Sequence, residues 1–141
     1  QSLKKAGYKV AIASRSVESN KFHETRNGID IYRVGAGRKN SYSLPFNFNP
    51  VWKQDLGKIA EITKPDLIIV REMIIAKTTA VIAKRMKIPV IMDMAENYPA
   101  AMREWKKYNE SALSKFLIHN ARIPDKIERG SVRLMDGIIT V

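Results

Sequence analysis

The chain of 141 residues contains no cysteine. That absence removes disulfides, Cys-ligated zinc, iron–sulfur clusters and thiol catalysis. Histidine is nearly as scarce. His23 and His119 are the only two, too few for a multi-histidine metal centre. No apolar run approaches the roughly 20 residues that a helix needs to cross a bilayer. No secretory leader pattern precedes the first element, so a cytoplasmic setting is the expectation. Acidic residues are in deficit, with 14 Asp and Glu against 25 Lys and Arg, for a formal charge of +11. Residues 1–70 carry +6 and residues 71–141 carry +5, so the excess is spread and forms no basic tail. Such a charge attracts phosphates, nucleic acid or an anionic lipid surface. A solvated basic face gives the same composition.

Hydrophobic residues make up 45% of the chain, enough for a core, and neither a repeat nor a composition shift divides it. The expectation is one domain, residues 1–141. Leu3 to Gly7 reads as the last turn of a helix, with basic residues before a glycine cap. The first residue is Gln1, and GIITV (137–141) is a strand pattern that runs to the last residue. These two ends suggest a piece of a longer protein, shortened on both sides.

Periodicity then sets the order of elements. Residues 8–14 (YKVAIAS) read as a buried strand and 15–27 as a polar loop. Asn27-Gly28 is a turn signal, and IDIYRV (29–34) alternates after it as a second strand. Residues 35–50 are rich in Gly, Ser, Asn and Pro and form a long loop of the kind that often carries function. Trp52, Leu56, Ile59 and Ala60 share a face, giving an amphipathic helix over 51–64. LIIV (67–70) and PVIMDM (89–94) read as parallel strands covered on both faces. Helices are expected at 75–86, 99–108, 112–119 and from Pro124 to about Leu134. Helix–strand alternation implies right-handed crossovers and a parallel sheet. The class expected is α/β: a three-layer Rossmann-like domain with a mainly parallel sheet.

In such sheets ligands bind outside the carboxyl ends of the strands. That rule selects Ser14–Arg15, Arg71-Glu72-Met73 and Asp93–Tyr98. Asp93 is a charge at the end of an apolar strand, and Glu96, Asn97 and Tyr98 follow closely. Two carboxylates, an amide and a phenol suit a polyhydroxylated ligand. The alternative is a structural cap or ion pair at Asp93. Arg71 beside Glu72 suits a phosphate or carboxylate, or an internal ion pair. GAGRK (35–39) fails the dinucleotide fingerprint, because Asn40 stands where the third glycine belongs. Arg38 and Lys39 remain as loop-tip phosphate or anionic-surface contacts. Trp105, Tyr108, Phe116, Leu117 and Ile118 lie among Arg103, Lys106, Lys107 and Lys115. That mixture suits an anionic membrane interface or RNA, or a core helix with a wet basic face. His119 reads as a packing or capping residue, and His23 as a solvated loop residue. No metal or cofactor is expected.

Read in order, the segments resemble the N-terminal, acceptor-side domain of family-4 (group 1) GT-B glycosyltransferases. LKKAGYKVAIAS is similar to that family's entry to its second strand, with Tyr8 at the usual histidine. NGIDIYRV, KPDLIIVRE, IPVIMDMAENYP and LMDGIITV resemble its following strands and cover nearly the whole chain. The resemblance implies a two-domain enzyme whose first strand and glycine-rich loop lie before Gln1. It implies metal-independent, retaining transfer of a hexosyl group from a nucleotide-sugar to a polysaccharide or lipid-linked acceptor. The nucleotide-sugar would be held mainly by a C-terminal domain that this sequence does not include, so the chain alone is expected to be inactive. The acceptor-side contacts implied are Asp93, Glu96, Asn97, Tyr98, Arg71 and Glu72. Two family histidine positions hold Arg71 or Glu72 and Ala95-Glu96 here, so no catalytic residue carries over. An anionic membrane face, at the inner side of the plasma membrane, fits the +11 charge, with Arg103, Lys106 and Lys107 as contacts. A central strand missing from the sheet implies a gap closed over or a strand borrowed in a homodimer. Two other classes compete: a Rossmann-like nucleotide- or RNA-binding module using the basic surface, and a flavodoxin-like signalling domain.

Overall fold

A computed structural model of the protein describes residues 2–15, 21–37 and 50–140. The described residues divide into two compact units, 2–37 with 50–65 and 66–140. Each is α/β.

The first unit holds helix α1 (Ser2–Lys5), strands β1 (Ala11–Arg15), β2 (His23–Arg26) and β3 (Ile29–Val34), and helix α2 (Pro50–Thr63). Its sheet has the order β1-β3-β2. β1 runs parallel to β3, while β2 is antiparallel to it, so this sheet is mixed. Asn27 and Gly28 separate paired Arg26 and Ile29, and both have positive φ, 53° and 67°. That is the two-residue hairpin geometry which Asn-Gly favours, because glycine reaches positive φ without a Cβ penalty. Tyr32 and Val34, two apart on β3 and so on one face, are buried, and α2 packs on this strand. Trp52, Ile59 and Ala60 form the apolar side of α2. Asp55 is buried among them and accepts a hydrogen bond from the Gly35 amide at 2.8 Å, tying the end of β3 to the helix. Across the sheet Arg33 joins Glu24 and donates to the Ser14 hydroxyl at 2.9 Å.

The second unit holds β4 (Ile68–Val70), α3 (Met73–Met86), β5 (Val90–Met94), α4 (Tyr98–Glu104), α5 (Lys106–Asn109), α6 (Ala112–Lys115), a π-helical turn (Phe116–Asn120), α7 (Ile123–Val132) and β6 (Gly137–Thr140). The sheet has the order β4-β5-β6 and is parallel throughout. Ile68 pairs with Val90 and Val70 with Met92. Val70, Val90 and Met92 are buried in one cluster with Met73, Ala76, Ala80 and Ala83 of α3 and with Tyr98, Met102 and Ile118. Alanine at three positions on the buried stripe of α3 lets the helix approach the sheet closely. α3 ends at Lys87 in the left-handed conformation, with φ 58°. Asp136 fastens β5 to the turn before β6: its carboxylate accepts from the Val90 amide and its own amide donates to the Val90 carbonyl, both at 2.8 Å.

Several expectations need correction. The segment 15–27 is not all loop, because His23–Arg26 forms β2. His23 accordingly lies on a strand and not in a loop, although it is exposed as expected. It stacks on Tyr32 with ring centroids 4.6 Å apart and pairs with Asp30 at 3.0 Å. β1 is not a buried strand: four of its five residues are exposed, since among the described residues it pairs with β3 alone and is an edge. Nor is β4 covered on both faces. Ile69 of β4 and Ile139 of β6 are 47% and 49% exposed, on the face opposite the helical layer. The helix expected over 99–108 breaks at Trp105, where ψ is 123°. Val141 lies outside the described residues.

Replacing Asp55 by alanine strands the buried Gly35 amide, an expected loss of about 1–3 kcal/mol in urea unfolding. Asp66→Ala, at an exposed position, should stay within about 0.5 kcal/mol of the parent.

Candidate functional site

β4 and β5 are adjacent and parallel, so both leave the sheet at its carboxyl edge. β4 is followed by Arg71 and Glu72, then by the first turn of α3. β5 is followed by Ala95, Glu96 and Asn97, then by α4. Asn97 is the N-cap of α4, its side-chain oxygen accepting from the Ala100 amide at 3.1 Å. Pro99, in the first turn, lacks an amide proton that would otherwise want a partner. The cap fixes where Tyr98 starts, and the Tyr98 ring turns into the core cluster at 7% exposure.

The Tyr98 hydroxyl donates to Glu72 Oε2 at 3.2 Å and lies 3.5 Å from the Arg71 carbonyl oxygen. This contact joins the ends of the two strands. Its electrostatics follow from the setting. Burial, the Glu72 charge and hydrogen bond, and the Glu96 charge push the Tyr98 hydroxyl up to about 12, with Arg71 opposing. Tyr98 is therefore a neutral phenol and a donor at physiological pH. Arg71 and Glu96 are exposed. Among the described residues Arg71 makes no salt bridge; its charge, like those of Glu72 and Glu96, is felt at the Tyr98 hydroxyl.

Of the residues selected from sequence, Arg71, Glu72, Glu96 and Tyr98 come together here. Asn97 uses its side-chain oxygen on the helix cap, which leaves the amide NH2 as a donor. Asp93 sits on β5 one residue from both Met92 and Met94, so alternation sets it on the opposite face of the sheet, paired with Ile139. Arg103 is bound to Asp125, which also accepts from Arg122 at 3.0 Å. Burial would raise the Asp125 carboxyl, but the two arginines outweigh it and hold the group below its usual range. Arg103 thus braces α4 against α7. Lys106 is exposed on α5. Arg38, Lys39 and the side chain of Lys107 lie outside the described residues.

His119, expected as packing or capping, is exposed and meets Asn109 Oδ1 at 2.9 Å. Asn109 in turn donates to the Arg103 and Trp105 carbonyls, bracing the break between α4 and α5. Sequence reasoning missed the group His23, Thr25, Asp30 and Tyr32, in which Asp30 Oδ1 accepts from Thr25 at 2.9 Å. The signal was there: HETR is the strand that an Asn-Gly turn before IDIYRV requires. The His23 and Thr25 hydrogen bonds hold the Asp30 carboxyl below its usual range.

Among the described residues no group of three or more His, Asp or Glu side chains is placed to hold a metal ion. None of the described helices is long and apolar enough to cross a membrane. No protein-family model, curated protein or solved structure matches the chain.

The raised Tyr98 pKa has a definite sign. The group is more readily deprotonated when unfolded, near 10. Its stabilisation is full below about pH 10 and disappears as pH rises through about 12. Ultraviolet titration of the tyrosinate band should show one tyrosine ionising last. Glu72→Gln should move that step down toward the others, because it removes a charge that opposes phenolate formation.

Proposed function

We propose that the carboxyl edge of the β4–β6 sheet binds a hydroxyl-rich acceptor, as the acceptor-side domain of a retaining glycosyltransferase. The observation that carries this reading is the Tyr98–Glu72 hydrogen bond at 3.2 Å across two strand ends. It orients a carboxylate through one oxygen and leaves the other to accept from a sugar hydroxyl. Arg71 supplies the complementary contact, a planar double donor for a phosphate or carboxylate on the acceptor. Glu96 adds a second acceptor for hydroxyl groups. Edges of this kind, at the carboxyl ends of parallel strands, are where open α/β sheets bind ligands.

In this reading the acceptor hydroxyl attacks the anomeric carbon of a nucleotide-sugar on the face from which the nucleotide leaves. The bond from that carbon to the phosphate oxygen breaks, and the hydroxyl proton passes to the departing phosphate. No strong base is required, so Glu72 serves as a positioning residue for the acceptor. The nucleotide-sugar is held by a second domain. The reading carries with it the three-layer Rossmann-like class, a cytoplasmic setting and an acceptor of polysaccharide or lipid-linked type.

The test is a titration of the isotope-labelled chain with a panel of methyl hexosides, followed by NMR. Shifts are expected at Arg71, Glu72, Glu96 and Tyr98. Arg71→Ala should weaken binding of an acidic sugar about tenfold, the scale of one charge-assisted hydrogen bond. Shifts confined to surface lysines, and produced by single-stranded RNA with steep salt dependence, would instead support the nucleic-acid module. No shift at the strand ends with any sugar would overturn the proposal.

A further inference from the structure

The segment from Trp105 to Phe116 displays apolar side chains where water should be. α6 runs directly into the π-helical turn, and together they present two sides. Ile118 faces the core, at 3% exposure. Leu113 and Phe116, three apart and so neighbours on a helix surface, are 68% and 57% exposed. A helix buried on one side has no structural need for leucine and phenylalanine on the other. Trp105 is exposed too, with its ring stacked on Tyr108 at 5.9 Å between centroids. Adjacent exposed apolar side chains of this size, as at Leu113 and Phe116, mark contact surfaces.

The charges in the same segment identify the contact. Lys106 and Lys115 are exposed, and among the described residues neither makes a salt bridge. Residues 105–115 hold three lysines and one acidic residue, Glu110, for a net +2. Long lysine side chains can lay their methylenes along an apolar face while the ammonium reaches outward. We propose that this face lies on an anionic bilayer surface, with Leu113 and Phe116 entering the acyl boundary and Lys106 and Lys115 meeting lipid headgroups. Two alternatives fit less well. A second copy of the chain would set one lysine rim against another. RNA reads aromatic faces by stacking, whereas the most exposed member here is an aliphatic leucine and the Trp105 ring already stacks on Tyr108. The inference does not depend on the sugar-binding reading, since no strand-end residue takes part in it.

The experiment is co-sedimentation of the full chain with sucrose-loaded vesicles of phosphatidylcholine, with and without phosphatidylglycerol. Association is expected with the anionic vesicles and not with the neutral ones. Any chain of charge +11 is drawn to negative lipid, so the discriminating arm is apolar. Leu113→Ser with Phe116→Ser leaves the net charge unchanged, yet should weaken association at least about tenfold. Lys106→Glu with Lys115→Glu should weaken it on a similar scale. All four side chains are exposed, so circular dichroism should show the parent fold. As a check without substitution, brominated lipid should quench Trp105 emission, separated from that of Trp52 by a Trp52→Phe background. Undiminished binding of the apolar variant, absence of quenching, or self-association or RNA binding without vesicle binding would each overturn the proposal.

Discussion

Because β4 and β5 lie side by side and point the same way, with Val70 opposite Met92, the chain must leave both strands at one edge of the sheet. Every later step depends on that constraint. It brings Arg71 and Glu72 next to the segment that begins α4, although 26 residues separate Glu72 from Tyr98. Parallel pairing cannot be closed by a tight turn and needs a crossover helix. α3 is that helix, and its alanine-lined stripe seats it on the same layer of side chains that receives the Tyr98 ring. Fold and candidate site therefore share one set of contacts.

Within that set each group has a stated reason for its state. Tyr98 is neutral because burial and two nearby carboxylates oppose a phenolate. The Asn97 side-chain oxygen is committed to a helix cap, and Arg103 to a buried-side ion pair with Asp125. The groups left with open valences are Arg71, Glu96, the Asn97 NH2 and the second oxygen of Glu72. A site of this type offers fixed acceptors and one cation, and suits recognition of hydroxyl and anionic groups better than it suits proton abstraction. The apolar face at Leu113 and Phe116 belongs to the same unit but to different elements, so the two proposals stand or fall on different measurements.

Much of the fold was legible in the residues. The IDIYRV strand occupies residues 29–34, as its alternation indicates. α2, α3, β5 and β6 fall within two residues of where periodicity sets them. What periodicity could not supply was the company each strand keeps. A continuous apolar run such as LIIV is equally at home covered on two faces or on one, and β4 is covered on one. β2 was hidden because HETR has no apolar alternation; its evidence lay in the turn after it. The break at Trp105 is braced by Asn109, which donates to the Arg103 and Trp105 carbonyls, a side-chain role that apolar periodicity does not encode. At the carboxyl edge, the strand-end rule picked out Arg71, Glu72 and Tyr98, which the parallel pairing of β4 and β5 brings together. It could not tell which face Asp93 takes, because one residue of alternation decides which side of a sheet a side chain takes.

The most direct measurement is a crystal structure of the chain grown with a bound methyl hexoside. The account expects the sugar at the carboxyl ends of β4 and β5, with a hydroxyl on Glu72 Oε1 and the Tyr98–Glu72 hydrogen bond intact. A sugar seated on the opposite face beside Asp93, or held with Glu72 turned away from Tyr98, would contradict it.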